Sequence, residues 1–326
     1  MPDRFDVVVL GEVLVEFHAH TPVRAADTVR LSFSGDALNA AAAAAAAGAR
    51  TALLTVVGDD ELGEALIGRV TELGVHTGLI RRSARPNGAY LLTSDLDGGR
   101  EFIYWRTASA ASTLSAARIE SARDVLSRAG ALVAGGIAGA ISASARAAVC
   151  AAAELVHDTG GEVVYDPNFR RRLTTAREAR ELLAEVLPSA TLITPSCPGD
   201  TEALLGTDDP AEAVRRCREL GARRVLVTAG TRPVWMADDT REETVPVPAN
   251  PAAVDATGAG DVLTGTVAAR LALGDELDRA VRIGVAAASL SVSGLGGTGH
   301  VPALSDSVAL ASRSVESQRS DVDTIR

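Results

Sequence analysis

Six short apolar runs recur along the chain, separated by stretches that are long enough for helices. They lie at Val7–Leu10, Ala52–Val57, Ala131–Ala134, Val163–Tyr165, Leu192–Thr194 and Val225–Thr228. Such runs are typical of strands in a parallel sheet that is covered on both faces. The intervening stretches predict helices at 38–48, 60–73, 116–128, 143–158, 176–187, 210–220, 259–273 and 276–293. This alternation predicts an α/β fold, a doubly wound and mostly parallel sheet flanked by helices.

Two further stretches, 12–34 and 87–106, alternate apolar with polar residues. Alternation of this kind predicts strands with one face covered and the other exposed to solvent. In the second stretch Tyr104 and Arg106 share one face of the strand, and Trp105 lies on the other. We therefore predict a small second sheet that projects from the main domain as a lid.

The end of the chain differs in composition from the rest. From Ser305 onward it is rich in Ser, Asp and Arg and shows no long apolar periodicity. We expect one domain over residues 1–304, which includes the lid, and a polar, frayed tail over 305–326. With 326 residues, 47% hydrophobic and 23% charged, the chain has the composition of a globular protein.

Charge and residue usage exclude several classes of function. The formal net charge is −10, so a general attraction to nucleic acid or to an anionic membrane is not expected. All 32 basic residues are arginine, which excludes a lysine Schiff base and the phosphate-binding lysine of a P-loop. The three cysteines are too few and too scattered for a disulfide framework or a zinc ribbon. Without a signal-peptide pattern or a run that could span a bilayer, the protein is expected to be cytoplasmic.

The most informative segment is Val254–Asp261, with the sequence VDATGAGD, followed by the apolar stretch Val262–Leu273. A turn of small residues that opens a helix directs several backbone N–H groups at one point, where the helix dipole is positive. Such a point can bind a phosphate or stabilise charge that develops on one. Asp261 lies in the first turn, where a carboxylate can take a proton from an attacking hydroxyl. A lone Asp there could merely complement the helix N-terminus, but the preceding Gly258-Ala259-Gly260 favours catalysis.

The segment Asp255–Asp261 resembles the C-terminal signature of the ribokinase-like (PfkB) carbohydrate kinases, with Ala256 where Thr or Pro is commoner. The N-terminal glycine-rich motif of that family resembles Ser34–Asn39, followed by Val57–Gly63. The matching segments follow one another in the expected order over roughly residues 5–303.

This resemblance implies a ribokinase-like fold and the use of ATP and Mg²⁺. It implies that Asp261 is the catalytic base. It also implies that the backbone of residues 258–260 forms an anion hole, which stabilises charge on the transferring phosphoryl group.

Further segments resemble the 2-keto-3-deoxygluconate kinase branch of the family. They are Gly11–Phe17, Gly35–Asn39, Tyr104–Arg106 with Ser109–Ser112, and Asp166–Arg170. In that branch the sugar acid is held by residues of the second motif, by tyrosines of the lid and by two arginines. The substrate-binding residues that the resemblance implies are Gly35, Asp36, Asn39, Tyr90, Tyr104, Arg106 and Arg170.

The chemistry of these side chains agrees with an acidic substrate, because a guanidinium group can bind both oxygens of a carboxylate at once. Each has a simpler explanation too. Arg170 begins a run of three arginines that could be a solvated edge, and Tyr90 and Tyr104 could only pack the lid against the body. The Asp-Pro-Asn that precedes Arg170 at a strand end favours binding, because ligands bind outside the carboxyl ends of parallel strands.

The signals for nucleotide binding are less regular. The strand end Val227–Gly230 resembles the V-T-x-G of the family, but Pro233 stands where the next glycine is expected. The N-x-x-E motif, which helps to organise Mg²⁺ and phosphates, is imperfect in Thr194–Asp200. The nucleotide-binding residues that the resemblance implies are Thr228, Gly230, Gly258, Gly260 and Asp200. We identify no dedicated metal-binding residue.

These features predict an ATP-dependent sugar kinase that phosphorylates a primary hydroxyl, with 2-keto-3-deoxygluconate as the implied substrate. One alternative is a PfkB-type kinase of another acceptor, such as a fructose-like sugar or a pseudosugar of secondary metabolism. Another is a non-catalytic, sugar-binding regulator with a kinase fold. We expect no nucleic-acid or membrane partner. The lid face that carries Ile103 and Trp105 predicts a homodimer through the lid.

Overall fold

The structure is a computed structural model, which describes residues 4–19, 21–94 and 100–324. Its strands are β1 (Val7–Leu10), β2 (Leu14–Ala19), β3 (Arg30–Ser34), β4 (Thr51–Leu54), β5 (Val56–Gly58), β6 (Arg81–Ser83), β7 (Gly88–Ser94), β8 (Arg100–Trp105), β9 (Ala131–Gly135), β10 (Glu162–Asp166), β11 (Leu192–Ile193), β12 (Val225–Ala229), β13 (Arg232–Ala237) and β14 (Glu242–Val245). Its helices are α1 (Asp36–Ala46), α2 (Glu61–Glu72), α3 (Ala116–Ser121), α4 (Arg123–Leu126), α5 (Gly136–Ala140), α6 (Ala143–Asp158), α7 (Ala176–Val186), α8 (Thr201–Leu205), α9 (Pro210–Glu219), α10 (Ala259–Ala272), α11 (Leu277–Ser291) and α12 (Leu304–Thr324).

Several helices begin at residues whose side chains cap the free N–H groups of the first turn. Asp60 accepts a hydrogen bond from the backbone of α2, and Ser142 does the same for α6. Thr175 and Glu178 form a reciprocal capping box at the start of α7. These local signals are the reason that the predicted and observed starts of the three helices agree to within one residue.

The main sheet has eight strands in the order β14-β13-β12-β11-β10-β9-β1-β4. The six strands from β12 to β4 in this order are parallel, whereas β13 and β14 form an antiparallel extension at one edge. The predicted doubly wound, mostly parallel sheet is therefore confirmed. Parallel strands end at the same edge of the sheet, so the segments that follow β9, β10, β11 and β12 are brought together there.

Apolar side chains fill both faces of this sheet. On β1, Val8 and Leu10 belong to the cluster that packs against α6, and Val7 and Val9 belong to the cluster that packs against α1 and α10. All four are at most 1% exposed. Burial on both faces explains why the strand sequences are continuously apolar and do not alternate.

The lid is a four-stranded sheet in the order β3-β2-β7-β8, and its strands lie within the two alternating stretches. Its inner face carries the aromatic rings of Tyr90, Phe102 and Tyr104, which pack with Leu14 and Leu92. The two-faced pattern predicted for 100–106 thus has its physical basis in one face that covers the body and one that does not.

Two predictions about elements need correction. The run at 52–57 is not one strand, because β5 leaves the main sheet after Leu54 and pairs instead with β6 in a separate two-stranded sheet. The frayed tail expected from Ser305 is also wrong, because α12 occupies this region. Leu304, Val308 and Ala311 pack with Ile283 of α11, and their spacing of four and three residues puts them on one helix face.

Candidate active site

A cavity of about 1160 Å³ opens at the carboxyl edge of the main sheet, beneath the lid. Its walls come from the ends of β10 and β12, from the first turns of α1 and α10, and from the inner face of the lid. Every residue assigned to catalysis or binding from the sequence lines this cavity. They are Gly35, Asp36, Asn39, Tyr90, Tyr104, Arg106, Arg170, Asp200, Thr228, Gly230, Gly258, Ala259, Gly260 and Asp261.

The turn that opens α10 depends on glycine and on a buried carboxylate. Gly258 caps the helix with a φ of 81°, in the left-handed region that favours glycine. A Cβ atom at this position would also lie 2.9 Å from Nδ2 of Asn39. Asp255 is 3% exposed and accepts hydrogen bonds from the backbone N–H groups of Thr257 and Gly296, each at 2.9 Å. The signature residue Asp255 therefore fixes the turn.

The first turn of α10 supplies the donors for an anion. The backbone N–H groups of Gly260 and Asp261 precede the first intrahelical hydrogen bond, so the helix itself offers them no acceptor. The N–H of Ala259 differs, because it donates to the carbonyl of Ala256 at 3.3 Å. Two N–H groups without an intrahelical acceptor, at the positive end of a 14-residue helix, are suited to bind an anion beside the Asp261 carboxylate.

Two asparagines hold the carboxylate of Asp261. Nδ2 of Asn39 donates to Oδ2 at 2.8 Å, and Nδ2 of Asn168 lies 3.5 Å from Oδ1. Asn168 has a φ of 41°, a conformation that is uncommon outside glycine and often marks a functional position. The carboxylate is thereby held in one orientation at the floor of the cavity.

Burial raises the pKa of Asp261 to about 7, and the nearby Asp36 carboxylate adds to this effect. The hydrogen bond from Asn39 and the charge of Arg170 act in the opposite direction. Burial also raises the pKa of Asp36, to about 6, against the lowering effect of Arg106. A carboxyl group with a pKa near neutrality is suited to accept a proton during catalysis.

Asp36 itself offers a place for a hydroxyl donor. Its Oδ1 atom is buried and has no hydrogen-bond partner among the residues that the structure describes. The adjacent Gly35 has a φ of 118°, and a Cβ atom there would lie 2.8 Å from the carbonyl oxygen of Glu12. The glycine thus lets α1 begin close enough to the lid junction for Asp36 to face the cavity.

Arg106 is not a free guanidinium group, contrary to what its predicted role in binding the substrate carboxylate suggests. Its Nε atom donates to Oε2 of Glu12 at 2.8 Å, and its Nη2 atom contacts the same oxygen. The other oxygen of Glu12 accepts a hydrogen bond from Ser109 at 2.6 Å. Glu12 is fully buried, so this ion pair lies at the junction of lid and body. Among the described residues, the hydrogen bonds of Arg106 use its Nε and Nη2 atoms.

A second buried carboxylate supports the aromatic wall of the lid. Glu16 is 2% exposed, accepts from Ser32 at 3.0 Å and accepts from the hydroxyl of Tyr90. Burial and this carboxylate both raise the pKa of the Tyr90 hydroxyl, which therefore stays protonated and donates. The ring of Tyr90 lies 5.7 Å from that of Tyr104, and the Arg106 guanidinium lies 5.4 Å from the Tyr104 ring centre.

The other end of the cavity is less polar. Thr228 and Gly230 lie at the end of β12, as predicted, with Gly230 at a φ of 65°. The loop 247–250 forms the facing wall and is tied to α11 by two hydrogen bonds, from Asn250 to the Ser289 carbonyl and from Ser289 to the Pro248 carbonyl. Val285, Ala288 and Val292 complete an apolar slot.

Asp200 is engaged by the protein itself. It is 1% exposed, and its two oxygens accept from the backbone of Phe169 and from the backbone and hydroxyl of Ser196. Asp166 differs, because among the described residues its hydrogen bond is one that Oδ1 accepts from the backbone N–H of Asn168, at 3.0 Å. The described part of the chain contains no group of three or more His, Cys, Asp or Glu side chains that could hold a metal ion alone.

The comparison with known proteins identifies the family. The pattern of the pfkB family carbohydrate kinases matches residues 4–304. The chain belongs to the PfkB family. It is therefore a phosphotransferase that acts on a sugar hydroxyl, and the family and enzyme class predicted from the sequence are confirmed.

Individual PfkB relatives span most of the chain. The 2-dehydro-3-deoxygluconokinase of Thermoproteus tenax is 31% identical over 91% of this chain and 91% of its own. Fructokinase-1 of Oryza sativa subsp. japonica is 29% identical over 81% of this chain and 82% of its own. A ribokinase II from E. coli in complex with ATP and Mg²⁺ has a similar structure, with a TM-score of 0.85 and 25% identity over 94% of this chain and 99% of that one.

Four features of the site were missed by the sequence reasoning. Glu12 and Glu16 occur in a stretch that alternates like a lid strand, where polar positions are expected to face solvent. Asn168 and the loop 247–250 were not assigned a role. The signal for Glu12 is its position directly after an apolar strand and Gly11, since strand ends of this sheet face the cavity.

No helix among the described residues combines the length and the apolar character needed to cross a membrane.

Proposed function

We propose that the protein transfers the γ-phosphoryl group of ATP to the 6-hydroxyl of 2-keto-3-deoxygluconate. The observation that carries the proposal is that one cavity is lined by Asp261, by the turn that opens α10, and by the two arginines Arg106 and Arg170. The relative from Thermoproteus tenax supports this acceptor, because its name, 2-dehydro-3-deoxygluconokinase, refers to the same compound.

In this proposal Asp261 takes the proton of the attacking hydroxyl. Asn39 and Asn168 hold its carboxylate toward the cavity, and a pKa of about 7 lets it accept and later release the proton. The N–H groups at the start of α10 stabilise the negative charge on the transferring phosphoryl group. Covered by the lid, the cavity excludes water that would otherwise receive the phosphoryl group.

We propose that ATP occupies the less polar end of the cavity, with its base between the 247–250 loop and the apolar slot of α11. Mg²⁺ would be held by the phosphates together with Asp166, for whose second oxygen the described residues show no hydrogen bond, and not by Asp200, whose oxygens are both engaged. One or two carboxylates plus phosphates are the usual ligands of Mg²⁺ in such sites. When bound, Mg²⁺ neutralises phosphate charge. Burial and the charges of Asp200 and Asp261 raise the pKa of Asp166, which a bound cation would reverse.

A neutral ketose is the second candidate acceptor, and one observation favours it. Glu12 compensates the charge of Arg106, so the lid end of the cavity is less positive than two free arginines would make it. This chain is also similar to fructokinase-1 of Oryza sativa, a kinase that is named for a neutral sugar. The regulator interpretation has no support in the site, where both the base and the anion-binding turn are intact.

The deciding experiment measures ADP release with a panel of sugars and sugar acids, using Asp261→Asn as the inactive control. We expect the highest kcat/KM with 2-keto-3-deoxygluconate, and a loss of several orders of magnitude in kcat for Asp261→Asn because an amide cannot accept the proton. Turnover of a neutral ketose without turnover of the acid would reject the proposed substrate. A variant that keeps more than about a tenth of the rate would reject the base.

We also propose a homodimer that works in the cytoplasm. The outer lid face, defined as Leu31, Leu91, Ile103 and Trp105, lies opposite the sugar-facing side. Leu31 is 48% exposed and Trp105 is 55% exposed. An exposed apolar face on a small sheet favours pairing with a second copy about a two-fold axis.

A further inference from the structure

Three consecutive arginines follow β10, and the structure gives them different surroundings. Arg170 lines the cavity, and its charge lowers the pKa of Asp261. Arg171 does not line the cavity, although all three arginines are exposed. Arg172 lines the cavity, and its Nη1 atom donates a hydrogen bond to the backbone carbonyl of Phe102 in β8 of the lid. Among the described residues, Arg172 is therefore the member of this run that has a hydrogen bond to the lid.

The position of this contact matters because the lid is joined to the body at one end. Glu12 lies at that end, close to the residues at which the chain passes between the body and the lid. Its side chain binds Arg106 and Ser109, and a Cβ atom at Gly88 would lie 2.6 Å from its Oε1. A Cβ atom at Gly35 would lie 2.8 Å from its carbonyl oxygen. We call this end the hinge.

The contact of Arg172 lies away from the hinge. Phe102 is four residues before Arg106, which corresponds to about 13 Å along an extended strand. The side chain of Phe102 stacks with Tyr104 on the inner face of the lid, at a ring distance of 6.1 Å. A hydrogen bond at this point restrains a part of the lid that would move further than the residues at the hinge if the sheet rotated about it.

We propose that Arg172 is a latch that holds the lid closed over the bound sugar. It is a positioning residue, since it acts through the backbone of β8 and on no reacting atom. The closed lid retains the acceptor and excludes water, so ATP is consumed for sugar phosphorylation and not for hydrolysis. This inference depends on the kinase activity of the PfkB family and not on the identity of the sugar.

Two roles of Arg172 can be distinguished, that of a latch and that of a residue that binds the substrate carboxylate. The acceptor of the Arg172 hydrogen bond is a backbone carbonyl, which is present whatever sugar is bound. Loss of the side chain should therefore raise KM for an acidic and for a neutral acceptor by the same factor. Loss of a guanidinium group that binds the substrate carboxylate should affect only the acid.

The experiment compares Arg172→Met with Arg171→Met, which removes the same charge from the neighbouring position. We measure KM for each acceptor that the wild type phosphorylates, the amount of ATP consumed per sugar phosphate formed, and amide hydrogen exchange in β8. For Arg172→Met we expect KM to rise about tenfold, the value of one charge-assisted hydrogen bond, with excess ATP consumption and faster exchange. Arg171→Met should stay within about twofold of wild type in all three.

Three outcomes would overturn the latch. Equal behaviour of the two variants would mean that the Arg172 contact does not restrain the lid. A higher KM for the acid alone, or a higher KM with unchanged exchange in β8, would make Arg172 a direct ligand of the substrate. Should Arg172→Met fail to fold, Arg172→Lys keeps a donor of similar reach and should lie between wild type and the expected defect. The wild-type panel of acceptors tests the proposed sugar separately.

Discussion

At the scale of single residues, the proton affinity of Asp261 is set by groups that the structure names. Burial and Asp36 raise its pKa to about 7, while Asn39 and Arg170 lower it. The base must be deprotonated to act, so kcat should be nearly constant above this pKa and fall about tenfold per pH unit below it.

The acid limb is the pH range below the pKa of Asp261 in which kcat falls. Two substitutions should move it in opposite directions. Asp36→Asn removes a negative charge, which favours the ionised form of Asp261 and shifts the limb to lower pH. Arg170→Met removes a positive charge and shifts the limb to higher pH. The measurement is the pH dependence of kcat at saturating sugar, normalised to each variant's own plateau. Shifts in the same direction, or none, would mean that another group controls the limb.

The charge of the acceptor can be determined from the arginines at the lid end. If Arg106 and Arg170 bind a carboxylate, replacing either by Met should cost about 2–4 kcal/mol of binding for the acid, or very roughly thirty- to a thousand-fold in KM. A neutral ketose offers no carboxylate and should be affected far less. Equal losses on both acceptors would mean that these arginines maintain the lid or the ATP site, as the Arg106–Glu12 pair allows.

At the scale of elements, the packing of α1 against α10 positions Asp261, the proposed base. Gly265 of α10 faces the backbone of α1, and a Cβ atom there would lie 2.1 Å from the carbonyl oxygen of Ala40. Ala40 and Gly265 thus bring the helices close enough for Asn39 to reach Asp261. These two small residues therefore serve the site.

Gly265→Ala tests this packing. We expect the free energy of unfolding to fall by about 1–3 kcal/mol because the backbone of α1 must shift. The control is Gly68→Ala, at an exposed position of α2 where a Cβ atom meets nothing within 4 Å. Alanine should stabilise the protein there by about 0.5–1 kcal/mol. Urea unfolding of both variants measures the two values, and a Gly265→Ala protein as stable as wild type would contradict the close packing.

Helices and strands could be predicted from the sequence where the signal for them lies within the segment itself. The continuous apolar strands and the capped helices carry their signal locally, and they were predicted to within a few residues. The antiparallel pair β13 and β14 was missed because its residues alternate at the sheet edge, where Arg232 and Pro233 look like a loop. The first turns of α12 were missed because the apolar positions 304, 308 and 311 are outnumbered by Ser, Asp and Arg.

Prediction of the site is limited in the same way, because some of its contacts join distant segments of the chain. Asp261 and the glycines around it are recognisable because anion binding at a helix start needs that order of residues. The Arg106–Glu12 pair joins residues that are 94 positions apart, and nothing in either segment marks the other as its partner. Contacts between distant segments decide whether an arginine is a free ligand or half of an ion pair, and only the folded chain shows them.

At the scale of the whole molecule, the outer lid face is the surface through which we propose that two copies of the protein associate. Trp105 and Leu31 expose apolar surface on one side of a sheet whose other side covers the cavity. Burying this face against its twin would remove apolar surface from water and hold two lids in fixed relation. The lid could then be restrained twice, by the second copy from outside and by Arg172 from inside.

We expect light scattering at micromolar concentration to give the mass of a dimer, and Trp105→Arg to give a monomer, because a charge would be buried without a partner. The matched control is Leu220→Arg, an equally exposed apolar position at the end of α9 on the body, 56% exposed, which should remain dimeric. A wild-type monomer, or dissociation by both variants alike, would reject the outer lid face as the interface. If the monomeric Trp105→Arg protein also consumed more ATP per sugar phosphate, dimerisation would contribute to lid closure together with Arg172.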